Sequence, residues 1–426
     1  MEIELRREDF INQYPPSNFL NKKDVSLLWE KQRYNLYVHI PFCYKKCEFC
    51  YYKSEELGDT PVPDEYVAAL VREMEWYSQM PEIQSKVASS VYFGGGTPTM
   101  LSYNQIKLLL DIINKNFNLD EDYELCFEAR PGKETSEEKL ALLKEYQIKR
   151  ISFGVQSLDD EVLKANGRNH DVSSFYQVYE LARKIGISCI NTDLLSGMVN
   201  QSRKSWLDTV DQLVRLRPEN IAVYKLELYY NNVLYRKIRE KAIKLISNES
   251  EAEYVREGFQ KMIDAGYIPV TNYSFAIDLE YEHVHRKKLW QGEDMLGIGA
   301  SAHSCMDGFI YQNEISVEKY VNAVEGNQFP IMRAYRMSKR EKMIQRIVLG
   351  LKIMHFNRDA FQNEFGLDVM ELYETEMKTL EQRKFLTIGE HEISLTLEGM
   401  LYADDIVRVF YLEQQKKVYL SHFKRT

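Results

Sequence analysis

The sequence predicts an α/β fold: a partial (β/α)6 barrel, with an amino-terminal arm before it and a small winged-helix-like α+β domain after it. Three observations predict this. Between residue 37 and about residue 228, six short β-rich runs alternate with helical patterns, which is the order of a parallel sheet. Each run ends in a polar or glycine-bearing group, as expected where loops converge at one end of a barrel. The last ~95 residues then change to successive helical patterns and a hairpin.

The β runs cover 35–40, 89–93, 123–128, 149–155, 187–194 and 221–226. Between them, Ile106, Leu109, Leu110, Ile113 and Phe117 recur at helical spacing, as do Trp206, Val210, Leu213 and Val214. Thr135 followed by Glu138 reads as a capping box opening a helix that buries Leu140 and Leu143. Residues 252–265 read as helix and 267–275 as extended chain. Beyond them, 340–354, 359–365 and 371–383 read as helices, followed by a hairpin around Gly389 and a final helix from Leu397. The domain expectation is an arm over 1–36, a TIM-type partial barrel over 37–270, a connecting segment over 271–330 that closes over the site, and a carboxy-terminal domain over 331–426.

A chain of 426 residues, 44% hydrophobic and 28% charged, has the balance of a soluble protein with a large core. No apolar stretch reaches membrane-span length, and Glu2, Glu4, Arg6 and Arg7 are unlike a secretory signal, so cytoplasmic residence is expected. A net charge of −9 argues against nucleic acid as a partner, since there is little counterion release to gain. The wing of the last domain carries Glu390, His391 and Glu392 where a DNA reader would be basic. Basic runs at 236–244 and 283–288 read first as solvated faces, although the second could face a carboxylate-bearing substrate.

Six cysteines are too few for a disulfide framework in a chain of this length, yet three lie within eight positions. The run His39-Ile40-Pro41-Phe42-Cys43-Tyr44-Lys45-Lys46-Cys47-Glu48-Phe49-Cys50 gives C-x3-C-x2-C directly after the first β run. Such spacing lets the thiolates converge on a metal centre. On spacing alone a four-iron cluster with one open iron, a zinc site completed by a fourth ligand, and unrelated thiols all remain open. The other run ends carry Gly94-Gly95-Gly96-Thr97, Glu128, Gln156, Asp193 and Glu227. Taken singly, the glycines could be a tight turn and the carboxylates surface groups.

C-x3-C-x2-C with Phe49 before the last cysteine is the signature of the radical S-adenosylmethionine (SAM) superfamily. The flanking Tyr37-Val38-His39-Ile40-Pro41-Phe42 resembles its oxygen-independent coproporphyrinogen III oxidase-like (HemN-like) group, which also contains class C radical SAM methylases and the haem chaperone HemW. The resemblance implies that Cys43, Cys47 and Cys50 hold a [4Fe–4S] cluster whose open iron takes SAM, which is cleaved reductively to a 5′-deoxyadenosyl radical. It further implies that Gly95, Gly96 and Thr97 bind the SAM amino group and that Glu128 accepts from the ribose hydroxyls. Arg168, twelve positions after Gln156, would pair with the SAM carboxylate. Asp193 would contact the adenosine and Tyr37 the adenine.

The stretch Met295-Leu296-Gly297-Ile298-Gly299-Ala300-Ser301-Ala302 matches the group's LGxGxSA. Trp290 and Gln291 precede it where the group places residues near substrate or a second SAM, and Glu227 belongs to the same side. Cys126 and Cys189 read as buried thiols and Cys305 as the one near substrate. Tyr52 stands where the oxidases carry a further cysteine, and His285-Arg286-Lys287-Lys288-Leu289-Trp290 departs from HemW's HNxxYW. The expected activity is that of a class C methylase or related biosynthetic enzyme, with two SAM molecules and a heterocyclic or tetrapyrrole-like substrate. Coproporphyrinogen oxidation and haem trafficking are the alternatives. A flavodoxin- or ferredoxin-type electron donor and a monomeric state are also expected.

Overall fold

In the computed structural model, which describes residues 10–21, 31–229 and 232–416, six parallel strands form the barrel wall. They are β1 (Arg33–Ile40), β2 (Val87–Gly95), β3 (Leu119–Ala129), β4 (Arg150–Gln156), β5 (Cys189–Ser196) and β6 (Asn220–Lys225), and each pairs with the next. The barrel is not closed. Beyond β6 the sheet continues antiparallel through the hairpin of β7 (Ile268–Thr271) and β8 (Ser274–Ala276). Beyond β1 it continues through β9 (Asp294–Ile298), β10 (His303–Met306), β11 (Phe309–Asn313) and β12 (Ile331–Arg336), giving twelve strands in one sheet. β9 runs parallel to β1, pairing Tyr34 with Asp294 through to Val38 with Ile298.

Alternation along these strands divides the sheet into two chemically different faces. Leu36, Val38, Val91, Phe93, Leu125, Phe127, Ile151, Phe153, Ile190 and Ile221 face the helices and are buried in the main core. Against them pack α1 (Asp64–Ser78), α2 (Tyr103–Asn116), α3 (Glu137–Glu145), α4 (Val172–Ile185), α5 (Arg203–Leu216) and α6 (Asn248–Asp264). The apolar stripe expected on α2 is buried throughout, and Trp206, Val210 and Leu213 of α5 are fully buried. Ser102 and Ser202 close capping boxes at the starts of α2 and α5. The box expected from Thr135 does not form. α3 starts one residue later at N-cap Ser136, and the Thr135 hydroxyl donates to the Arg130 carbonyl at 2.8 Å.

The inner face is polar, where (β/α)8 barrels usually stack branched apolar side chains. In register across it run Tyr37, Tyr92, Cys126, Arg150 and Cys189, and above them Glu128, Ser152 and Asn191. Buried polar groups need partners, and several of these have them. Arg150 pairs with Glu124 at 3.2 Å, Asn191 donates to Asp193 at 2.8 Å, and Ser90 meets His285 at 2.8 Å.

The connecting segment divides in two. Residues 281–290, including α7 (Val284–Trp290), seal the end of the barrel where the strands begin. Arg150 and Asn220 both donate to the Tyr281 carbonyl, and the His285 amide donates to Glu124. β9 then brings Gly299 beside the His39 carbonyl at the opposite end.

The last domain has winged-helix order. α8 (Lys339–Gly350) is followed by a short strand, His355–Asn357, two helices, and the hairpin Leu386–Ile388 and Glu392–Leu395. The two-part helix after Leu397 ends within the described residues. Glu2, Glu4, Arg6 and Arg7 of the expected arm lie outside them, as do 22–30. No helix among the described residues is long and apolar enough to cross a membrane.

Candidate active site

The cysteine loop leaves β1 at Ile40 and folds back on itself. Phe42–Cys43 pairs with Glu55–Glu56, and Leu57 and Gly58 donate to the Cys43 and Tyr44 carbonyls at 2.9 Å. Contacts with the barrel fix its tip. The Glu48 amide donates to the Asn166 carbonyl at 3.3 Å, the Glu48 carboxylate pairs with Lys237 at 2.7 Å, and Asn232 donates to the Phe49 carbonyl at 3.2 Å. The Phe49 ring packs on Val162, Leu195, Met198, Val199, Leu226 and Leu234.

The loop holds Cys43, Cys47 and Cys50 half-buried, unoxidised and within electrostatic reach of one another. Burial pushes the Cys50 thiol up to about 12. Burial also raises Cys43, against hydrogen bonds from Ser54 and Thr97. Among the described residues no three His, Cys, Asp or Glu side chains converge as ligands of a single ion would. Ligands of separate irons in a cluster stand further apart than that.

The glycine turn after β2 fits against this loop. Gly96 donates to the Ile40 carbonyl at 2.9 Å, and a Cβ there would fall 2.5 Å from the Phe42 carbonyl oxygen and 2.9 Å from the Cys43 sulfur. Gly95 has φ +118°, and its amide donates to the Glu128 carboxylate at 3.0 Å. Only glycine lets the backbone approach the cysteines so closely. On the other side Arg168 donates to the Cys47 sulfur at 3.1 Å and to the Gly154 carbonyl, while its Nε is buried without a partner. Gln156 ends β4 at φ +68°, with its amide beside Gly154.

Below the loop the barrel encloses a polar chamber. Tyr37 stacks on Tyr92 at 5.8 Å and bonds His39 at 2.9 Å. The Glu128 carboxylate accepts from the Tyr92 hydroxyl, and burial raises its pKa to about 7. Asp193 accepts from Ser152 and Asn191, and burial raises it to about 6. Tyr224 and Tyr273 lie 4.9 Å apart on the far wall. Phe10 of the arm packs edge-on against both, and its amide donates to Glu227. Tyr51 and Tyr52 stack at 4.4 Å at the chamber's mouth. Tyr52 is 46% exposed yet within electrostatic reach of Glu128, Glu227, Tyr37 and Tyr224, so its open face looks into the chamber.

The structure thus gathers Tyr37, the cysteines, Gly95, Gly96, Thr97, Glu128, Gln156, Arg168, Asp193 and Glu227 around one space. Trp290 lies fully buried at its floor. Gln291 is exposed at the end of α7 and does not join them. Cys305 is also elsewhere. It lines a cavity of about 470 Å³ between β10 and α8, where Gln345 and Lys342 face it. Sequence pattern did not single out Tyr92, Tyr224, Tyr273 or Phe10, and it marked Arg286 only as one member of the basic run 283–288. The period-2 polar alternation of β1 to β5 was the signal for the first of these.

Comparison with known proteins agrees with this geometry. The Radical SAM superfamily model matches residues 37–213, and the HemN C-terminal domain model matches residues 337–402. The heme chaperone HemW of Bacillus subtilis is 30% identical over 88% of this chain and 98% of its own length. The oxygen-independent coproporphyrinogen III oxidase of Salmonella typhimurium is 27% identical over 95% of this chain and 92% of its own. Among solved structures, coproporphyrinogen III oxidase (HemN) from Escherichia coli superposes with a TM-score of 0.81 at 23% identity, covering 95% of this chain and 99% of that one.

A cluster-bearing α/β barrel with a HemN-type carboxy-terminal domain is the class that fold and sequence define. The chain belongs to the radical SAM superfamily, within its HemN-like group. Membership implies a [4Fe–4S] cluster and SAM as cofactors.

Proposed function

We propose that Cys43, Cys47 and Cys50 hold the cluster and that the chain is an enzyme acting on a heterocyclic or tetrapyrrole-like substrate in the polar chamber. The residues present fit these cofactors. Three free thiols share the barrel mouth with a glycine turn that any Cβ would obstruct, and the Arg168 guanidinium keeps an unpartnered Nε beside them. When bound, cluster and SAM supply a 5′-deoxyadenosyl radical, and the protein supplies position and exclusion of water.

In this reading Arg168 pairs with the SAM carboxylate through its planar fork. The Gly95–Gly96 backbone and Thr97 take the amino group, Glu128 the ribose hydroxyls, Asp193 contacts the adenosine and Tyr37 the adenine, with Gln156 at the same strand ends. Phe49 keeps the third cysteine in place by packing beneath it.

Among the reactions open to the group, we favour methyl transfer using two SAM molecules. The observation behind it is Tyr52, stacked on Tyr51 over the chamber where the oxidases carry a cysteine. Oxidative decarboxylation of coproporphyrinogen is the second reading, supported by the 27% identity to the oxidase across nearly all of both chains. Haem trafficking is the third reading, supported by the 30% identity to the chaperone over 88% of this chain and opposed by the departure of residues 285–290 from its HNxxYW motif. Anaerobic turnover separates the three. S-adenosylhomocysteine alongside 5′-deoxyadenosine supports methyl transfer and CO2 from coproporphyrinogen supports the oxidase. Stoichiometric haem retention without turnover refutes an enzyme.

A further inference from the structure

The basic run 283–288 first reads as a solvated face, but α7 turns one of its members inward. Arg286 rises from the chamber floor with its guanidinium 5.2 Å above the Trp290 ring. Its Nε is shielded from solvent and has no acceptor, and among the described residues it makes no ion pair. Burial works against its charge, and the groups around it are the phenols of Tyr52, Tyr92, Tyr224 and Tyr273, which burial keeps neutral. A guanidinium does not shed its proton in a protein, so the charge is permanent.

The other cations near the chamber are engaged. Arg150 pairs with Glu124 and Lys352 with Asp404, while Arg168, beside Cys47 and Gly154, is assigned in the reading above to the carboxylate of the first SAM. The chamber's own carboxylates are engaged too. Glu128 accepts from Tyr92 and Gly95, and Asp193 from Ser152 and Asn191. Both sense Arg286 through space and neither bonds it. A fixed positive charge, walled by phenols and set opposite the cysteine loop, suits a ligand that brings its own carboxylate. The guanidinium fork matches a carboxylate in two bonds, and the surrounding hydroxyls supply further donors.

We infer that Arg286 is the carboxylate anchor of the chamber, holding the acid group of a ligand whose other end faces the cysteine loop. This rests on the reading that the chamber receives the substrate. Two sources share the chemistry, namely a carboxylate-bearing substrate and the methionine carboxylate of a second SAM.

The test uses reconstituted holoenzyme of the wild type, R286K and R286Q, with cluster content confirming that the variants fold. Crystals soaked in bromide should show an anomalous peak within about 4 Å of the guanidinium in the wild type and not in R286Q. Calorimetric titrations with coproporphyrin III, with its tetraamide and with SAM then identify the source. R286Q should lose about tenfold or more in affinity for the acid with the tetraamide unaffected, and R286K should recover part of it. A loss confined to a second equivalent of SAM assigns the anchor to that molecule instead. Acid and SAM affinities in R286Q equal to the wild type's overturn the inference, whatever the bromide shows. If the wild type binds neither porphyrin nor a second SAM, the substrate reading falls, and the bromide peak decides on Arg286, its absence overturning the anchor.

Discussion

Glu73 carries a prediction whose size follows from the structure. It is fully buried on α1 and ties the Gly299 turn to the barrel. One oxygen accepts from the Tyr320 hydroxyl at 2.6 Å and the Gly299 amide at 2.8 Å, and the other from the Asn313 side chain at 2.8 Å. Burial nonetheless raises its carboxyl from 4.5 to about 7. At about 1.4 kcal/mol per pH unit, that rise is worth ~3 kcal/mol. Below pH 4.5 the folded and unfolded chains both hold the proton and nothing is lost. Between 4.5 and 7 only the unfolded chain releases it, so stability falls as pH rises, and above 7 the loss is complete.

In Glu73→Gln the carbonyl keeps the Tyr320 and Gly299 bonds, but the new amide meets the Asn313 amide. Asn313 must turn over and give up its 3.1 Å bond to the Gly299 carbonyl, costing ~1 kcal/mol. The variant should therefore be ~1 kcal/mol less stable than the wild type at pH 4.5 and ~2 kcal/mol more stable at pH 8. Urea unfolding of both chains across that range measures it. Glu128 and Asp193 titrate alike in the two chains and cancel in the difference. Stability curves that run parallel with pH would refute the reasoning.

Three further outcomes are expected. Gly96→Ala should displace the cysteine loop, because its Cβ meets backbone at Phe42; iron content and SAM binding, read by absorbance and calorimetry, should fall together. Asp404→Ala strands Lys352, which is fully buried and among the described residues otherwise meets the Ile11 carbonyl and the Phe10 and Trp290 rings. It should cost ~3–5 kcal/mol in urea unfolding and expose the arm to trypsin, whereas replacing both partners by apolar residues should cost less. Ionised Glu128 accepts from a ribose more strongly than its acid form does, so SAM affinity should weaken as pH falls through about 7. Calorimetry on Glu128→Gln should find weak binding that lacks this dependence.

The parallel strands were legible because one face of each is continuously apolar; β1 to β6 begin and end within a few residues of the runs read from sequence. The cysteine loop and the strand-end residues followed from that register. What escaped reading has physical causes. β9 is a five-residue strand interrupted by Gly297 and opened by Asp294, with little strand propensity at those positions, and pairing with β1 holds it in the sheet. Arg286 sits among lysines and histidines that mask its direction, and only the docking of α7 inside the barrel turns it inward. Phe10 reaches the chamber through a long-range contact with Glu227, which no local pattern encodes. Cys305 faced the wrong way because strand β10 alternates: Ser304 points to the Gly297 amide and Cys305 to the opposite side.

The central claim is that the three cysteines at the barrel mouth hold a cluster that cleaves SAM. Anaerobic reconstitution of the wild type and Cys47→Ala, followed by dithionite, SAM and quantitation of iron and 5′-deoxyadenosine, tests it directly. The wild type should bind about four irons per chain and release 5′-deoxyadenosine. Cys47→Ala, which also removes the sulfur that Arg168 contacts, should lose the product. A wild type that binds a single zinc and no iron, or a Cys47→Ala chain that cleaves SAM undiminished, would contradict the account.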